Sequence, residues 1–531
     1  MKNLLLSAMA GLLAAILCEG LGTGVLKLLK TEKRGFAAPA GAAVLFTVLE
    51  VFYMPCTVFH APVLYACIIT IIALAAAAAV TIWQWKDTLH TFWQRDTIAI
   101  LASALLFVIL IAKAANLDAA ISALKSIHAN SFSVRYYDSL YPLQGYRVLQ
   151  AVLLRCMDPA ENIMFSGVFY HLIFAAVCLN IMRTFRLKNP WFSFTLVVYA
   201  LFYSAFGGWQ LAMAGSGANW RMVFIALLLW NLYCWIKDGN EQEKYISMFY
   251  MAGGMFVSPG FGVISFQVLY CLAAWLFKQH KIRSLFDITT LIVPHIIYAC
   301  FQLCSVHPFA GFGLIILCML FLRLRYQKKL RRLLWRAEDW MFDHGSLILY
   351  VIVPVSLMAL NLFLTIFFPS IPVSLASYKQ FLREEPVRSY LFLDHRITTY
   401  VLDVFRWGGL LLFLLHAKTQ PHQQLRSMML LMLIIFLNPL TMGVIARLVG
   451  TDVYGDSFEI LFNPFTDLIF FIAIYHTFEW QPLGQWILEL CLIASVLIGH
   501  GASWLDHPQG LYTDYIKDDV KIIVHDSHVH S

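Results

Sequence analysis

Residues 61–84 read APVLYACIITIIALAAAAAVTIWQ, a stretch without a single Asp, Glu, Lys, Arg or His. An apolar run of about 18 or more residues with few or no charges is long enough to cross the roughly 30 Å hydrocarbon core as a helix, since each residue rises about 1.5 Å. Inside lipid no water meets the backbone. A helix answers by bonding every N–H and C=O within the segment.

The same pattern recurs along the chain. Further apolar segments lie near 4–28, 36–57, 97–115, 163–183, 190–207, 220–236, 246–257, 260–277, 286–305, 308–323, 345–368, 399–416, 427–447, 461–478 and 482–500. The 531 residues are 60% hydrophobic and 13% charged, against about 45–50% apolar and about 25% charged in soluble domains. That surplus excludes a soluble enzyme, a disordered chain, a coiled coil and a secreted disulfide scaffold, and it leaves no nucleic-acid partner. The expected fold is all-α, a polytopic transmembrane helical bundle of about 14–16 spans. Residues 1–500 form one domain and 501–531 a tail outside the membrane. The first run is too long for a cleavable signal and lacks a small-residue cleavage site. The stretch 246–277 is interrupted at Ser258-Pro259-Gly260 and reads either as two short helices or as one broken span. The eleven cysteines lie mostly in apolar runs with no C-x-x-C pair, and read as small core residues.

Orientation follows from the basic residues, which concentrate in cytoplasmic loops. Lys27, Lys30, Lys33 and Arg34 follow the first span; Lys86 and Arg95 the third; Arg183, Arg186 and Lys188 the fifth. Lys237 and Lys244 follow the seventh, Lys278, Lys281 and Arg283 the ninth, and a dense run from Arg323 to Arg336 the eleventh. Lys418 and Arg426 follow the thirteenth. All fall on one side, which places both termini on the other. The 323–336 run reads as an anchor along anionic headgroups.

The outer side then holds the long loops 116–162, 208–219, 369–398 and 448–460, and any site with converging chemistry is expected there. The first contains Asp118, then Tyr136-Tyr137-Asp138-Ser139-Leu140-Tyr141-Pro142. A carboxylate at the membrane rim can act as a general base or hold a divalent cation against a lipid phosphate. Equally, these residues fit a solvated loop with interfacial tyrosines. The other loops add Trp220 and Arg221, then Arg383, Asp394 and His395, then Asp452, Tyr454, Asp456 and Glu459. Within spans lie Glu19, Glu50, Asp403, Arg406, Asp467 and Glu489, each of which should face protein or a polar cavity. Asp403 and Arg406, at i and i+3, are expected to pair on one helix face. The ending His525-Asp526-Ser527-His528-Val529-His530 is a flexible terminus or a metal site. No phosphate-binding G-x-x-x-x-G-K-[ST] loop occurs.

Four stretches carry a resemblance: Leu117-Asp118-Ala119-Ala120 with Tyr137-Asp138-Ser139-Leu140-Tyr141; Asn219-Trp220-Arg221; Ser258-Pro259-Gly260-Phe261-Gly262; and Asn438-Pro439-Leu440 with Gly450-Thr451-Asp452-Val453-Tyr454-Gly455-Asp456. In these the chain resembles an uncharacterised family of polytopic bacterial cell-envelope membrane proteins, itself similar to the GT-C superfamily of membrane glycosyltransferases. It departs where Leu117 stands in place of a common acid, and where Gly455 and Asp456 replace an aromatic-basic pair.

The resemblance implies a GT-C-like core in the bacterial cytoplasmic membrane. A sugar would pass from a polyprenyl-phosphate carrier to an envelope glycan or other acceptor on the outer face. Asp118 would be the base or the contact of a divalent cation (Mg or Mn), with Asp138 second. Arg221 would offset phosphate charge, and Trp220 and Tyr137 would stack on the sugar or the prenyl chain. Arg383, Asp394 and His395 would cover the cavity. Two other classes stay open: a transporter or lipid flippase, marked by Glu50, Asp403 and Asp467 around one midplane cavity, and a non-catalytic envelope partner, which the loss of the acid at 117 would suit.

Overall fold

The computed structural model describes residues 2–31, 35–58, 61–92, 145–185, 217–279 apart from 241 and 259, 288–324 apart from 289 and 307, 343–367, 397–416, 420–449 and 451–477, with scattered residues in 97–108, 332–340 and 483–490. Asp118, Tyr137, Asp138, Arg383, Asp394 and His395 lie outside the described residues, as do most of the two long loops that carry them and the tail.

Every element among the described residues is helical. In chain order they begin with α1 (Lys2–Leu28), α2 (Ala38–Val58), α3 (Val63–Trp83), α4 (Trp85–Phe92), α5 (Gly145–Cys156) and α6 (Pro159–Thr184). Next come α7 (Ala218–Asp238), α8 (Glu243–Val257), α9 (Gly260–Lys278), α10 (Val293–Val306) and α11 (Pro308–Leu324). The last are α12 (Val353–Phe367), α13 (Ile397–His416), α14 (Gln420–Leu431), α15 (Pro439–Val449), α16 (Thr451–Asp456) and α17 (Pro464–Thr477). Among the described residues, seven helical runs are long and apolar enough to cross a membrane, eight if one bent pair counts as a single span. The chain is therefore built as a multi-pass membrane protein, in line with residues 61–84, which become α3.

Two expected spans are broken, for identifiable reasons. The stretch 246–277 forms two helices. α8 stops at Val257 because Ser258 turns extended (φ −152°, ψ 123°), and α9 starts at Gly260. At 15 residues α8 reaches only about 22 Å, short of the hydrocarbon thickness. The expected span 427–447 bends by 73° between 436 and 439. A π-helical turn at Met432–Phe436 precedes Pro439, which has no N–H to continue the ladder. Asn438 and Thr441 take over the freed carbonyls of Ile434 and Ile435.

Helix contacts at the start of the chain depend on small residues. Lipid supplies no hydrophobic force between helices, so close backbone approach and van der Waals contact must hold them. A Cβ on Gly41 would land on the Cys18 carbonyl, and one on Gly22 on the Ala37 carbonyl, so α1 and α2 touch backbone to backbone. Glu19 reinforces the crossing: its carboxylate accepts the Ala38 N–H at 2.7 Å, at the N-terminus of α2 where the helix dipole favours an anion.

Helix direction agrees with the charge pattern. Gly11 packs on Phe165 and Trp230 Nε1 donates to Thr184 Oγ1 at 2.9 Å, so α1, α6 and α7 run parallel. α9 starts beside the first turn of α7 and runs the same way. The last turns of these four helices carry Lys27, Arg183, Lys237 and Lys278, which gather at one end of the bundle. The long polar loops attach at the other.

Replacing Gly41 by Leu should separate α1 from α2 and lower the thermal midpoint in detergent, a loss of about 1–3 kcal/mol or more. Gly313→Leu, with nothing within 4 Å of its Cβ position, is the control and should stay within about 0.5 kcal/mol of wild type. Equal effects would mean that the α1–α2 contact does not exist as described.

Candidate functional site

Three stretches far apart in sequence meet at the end opposite the basic residues. The first is the start of α7. Gly217 holds φ +68°, and its missing side chain leaves room for the Val257 carbonyl, so Trp220 and Arg221 are delivered against the α8–α9 break. The second is that break, with Ser258 and Gly260. The third is α16 and the 3-10 turn Ser457–Ile460 that continues it.

Arg221 ties them together. Its Nε donates to Glu459 Oε2 at 2.8 Å and its Nη2 to Glu459 Oε1 at 2.5 Å, a two-pronged grip on one carboxylate. Its Nη1 donates to Asp456 Oδ2 at 2.6 Å and to Ser258 Oγ at 3.2 Å. The Glu459 side chain is 1% exposed, Arg221 8% and Asp456 18%, so Asp456 is the rim of the cluster. Gly260 is required here, since a Cβ would sit 2.6 Å from Asp456 Oδ2. One guanidinium facing two carboxylates leaves the ionised cluster with a net negative charge. A phosphate could reach Arg221 only by displacing Asp456.

Trp220 is a wall in this arrangement. It is 3% exposed, enclosed by Phe46, Phe169 and Tyr170 with ring centroids at 5.1–5.4 Å, and its Nε1 donates to Tyr146 Oη at 3.1 Å. Burial pushes the Tyr146 phenol up to about 12, so it stays a neutral hydroxyl. Tyr146 opens α5, where the chain re-enters the bundle after the first long loop.

Beside it lies Glu50 of α2. The side chain is buried, and neither carboxyl oxygen meets a hydrogen-bond partner among the described residues. Glu50 and Phe256 fill the space a side chain at Gly145 would need. A buried carboxyl without partners is costly in a low dielectric and is the kind of intramembrane residue retained for function.

Arg406 and Asp467, by contrast, close on each other. Arg406 grips Asp467 with Nε–Oδ1 at 2.8 Å and Nη2–Oδ2 at 2.9 Å, under the Phe462 ring at 4.5 Å. The expected pairing of Arg406 with Asp403 on the same helix lies outside the described residues, because the Asp403 side chain does. The segment 448–460, expected as a loop, is helical from Thr451 to Ile460 and deeply buried from Ser457 on, because Glu459 brings its charge to Arg221. Among the described residues no group of three His, Cys, Asp or Glu side chains is placed to hold a metal ion. The metal expectation rested on Asp118, outside them.

Residues from three of the four stretches that carry the resemblance thus meet here; the other, 117–120 with 137–141, lies outside the described residues. Tyr146 and Glu459's partnership were missed from the sequence: Tyr146 has no motif around it, and Glu459 reads as one more loop acid. No family model, curated protein or solved structure matches the chain.

Arg221→Ala should strand Glu459 and cost about 3–5 kcal/mol of stability, read as a lowered thermal midpoint. Arg221→Met combined with Glu459→Leu should recover much of that loss. If the single variant melts like wild type, the ion pair does not hold this end together.

Proposed function

We propose that this protein is a membrane glycosyltransferase of the GT-C type, acting in the bacterial cytoplasmic membrane. It moves a sugar from a polyprenyl-phosphate carrier to an envelope glycan or other acceptor at the outer face, the end that bears the Arg221 cluster. One observation supports this reading above the others: Arg221, Ser258, Asp456 and Glu459, from three separate stretches, meet at a buried ion cluster, with Trp220 bonded to Tyr146 alongside. Charged groups from separate segments are concentrated there, and the sequence offers Asp118 and Asp138, in the stretch that precedes Gly145, as base or cation ligand.

The roles divide accordingly. Asp118 is the base, or the contact of a divalent cation, and Asp138 assists it. Arg221 and Trp220 are positioning residues: Arg221 fixes Asp456 at the rim, and Trp220 fixes Tyr146 at the end of the loop. Tyr137, Arg383, Asp394 and His395 are assigned to substrate binding on the resemblance alone, since they lie outside the described residues. A transporter reading draws on Glu50, whose carboxyl is unpartnered. Asp467, its expected companion on a through-path, is instead sealed by Arg406.

Proteoliposomes loaded with polyprenyl-phosphate-linked hexose or pentose, radiolabelled in the sugar, test the assignment through movement of label out of the lipid phase. Wild type should release or transfer label. Asp118→Asn should slow this by about 10²-fold or more at unchanged thermal midpoint, the range for losing a general base. Equal rates in the two proteins would remove Asp118 from the chemistry, and no turnover with either donor would remove the glycosyltransferase reading for those sugars.

A further inference from the structure

We propose that Cys67 and Cys156, free thiols in the structure, become joined in the cell by a disulfide bond at the outer end of the bundle. Cys67 stands in the second turn of α3, and Cys156 ends α5. The sequence reads its cysteines as small core residues, and Cys18, Cys178, Cys234, Cys271, Cys300 and Cys304 are indeed buried. Cys67 is only half-buried and Cys156 is exposed, so packing does not account for them.

Helix packing brings the two together. Tyr53 of α2 and Thr70 of α3 share a hydrogen bond between their hydroxyls at 2.5 Å. Cys67, three residues before Thr70, lies one turn further out on the same face of α3. α5 starts with Gly145 against Glu50 of α2, and it packs on both α2 and α3. Its 12 residues span about 18 Å. The last turn carries Arg155 and Cys156, and both side chains lie within electrostatic reach of the Cys67 thiol. A disulfide needs Cβ atoms about 3.8 Å apart. Cys156 is exposed at a helix end, where its side chain can change rotamer without repacking a core. Cys56, near the end of α2, is the competing thiol, since it and Cys67 both act on the Tyr53 hydroxyl.

The location favours the bond. Thr81 Oγ1 donates to the Leu17 carbonyl at 3.2 Å and, further along both segments, Lys27 meets Asp87 at 2.9 Å, so α3 runs parallel to α1. The start of α3 therefore lies opposite the basic end, as does Cys156, which precedes the Asp158–Glu161 cap of α6. By the distribution of basic residues that end faces away from the cytoplasm. Thiols there meet an oxidising compartment, in which disulfides form and persist. The step is an exchange. The Cys156 thiol loses its proton, and the thiolate attacks a disulfide of a thiol oxidase of that compartment, forming a mixed disulfide and releasing one carrier sulfur. The Cys67 thiolate then displaces the other carrier sulfur. The pair gives up two electrons and two protons, and the carrier leaves as a dithiol. The bond pins the far end of α5 to α3, while its near end holds Tyr146 against Trp220.

The test counts thiols in the full chain. Cells expressing it are quenched in acid, which freezes the thiol state, and the denatured protein is alkylated with maleimide-polyethylene glycol with and without prior reduction. Wild type should gain two adducts on reduction. A digest made without reductant should yield a linked peptide pair containing Cys67 and Cys156. Cys56→Ser should keep the two-adduct gain, and Cys67→Ser should lose the linked pair. Should a variant fail to fold, the wild-type count and its linked peptides decide. Equal counts before and after reduction in wild type would overturn the bond. That holds even if copper phenanthroline forms it in isolated membranes, for the thiols would then be neighbours that stay reduced in the cell. A linked pair of Cys56 with Cys156 would overturn Cys67 as the partner.

Discussion

Arg221 at the first turn of α7 closes on Glu459 and Asp456, 238 and 235 residues further along the chain. Much of the bundle's order at that end depends on this one guanidinium. Removing ions from water costs several kcal/mol each, and their attraction offsets that cost only with near-ideal geometry and with the remaining donors satisfied. Glu459 takes two prongs, Asp456 a third, and Ser258 shares the last. The start of α7, the α8–α9 break and the segment after residue 451 are thereby fixed relative to one another. The same device recurs where Arg406 grips Asp467. The run Tyr454–Tyr475 is thus clasped by two arginines, which explains how a segment bearing three acids lies almost wholly buried.

Elsewhere the bundle is held by close approach. Gly22 and Gly41 let α1 and α2 meet at the backbone, and the Glu19 carboxylate caps the second helix. Further along, aromatic rings take over: Phe46 stacks on Phe256 at 5.0 Å and meets Trp220 edge-on at 5.1 Å. Glu50 lies at the margin of this aromatic cluster, where α2 passes Gly145, and among the described residues its carboxyl has no hydrogen-bond partner. The helix that contrasts most is the run Asp343–Phe367, of which only 6% is buried among the described residues, and which lipid chains solvate in the multi-pass reading.

The two ends differ in chemistry. One collects lysines and arginines at the last turns of parallel helices. The other collects carboxylates and tyrosine around a saturated arginine.

How much of this could be read from the sequence depends on the range of the interaction concerned. Hydropathy is a sum over about 20 neighbouring residues, so the membrane class, the all-helical architecture and the interruption at Ser258-Pro259-Gly260 were legible directly. The gathering of Lys27, Arg183, Lys237 and Lys278 at one end was legible too, because loop charge and helix alternation are both local. Trp220, Arg221 and Asp456 could be singled out as residues, but their partners could not. Arg406 illustrates why: it grips Asp467, 61 residues further along on another helix. Which carboxylate meets which guanidinium, and which one, like Glu50, meets none, is decided only when packing brings distant helices within hydrogen-bonding distance, since in a low dielectric the geometry of a few ångströms outweighs any preference written along the chain.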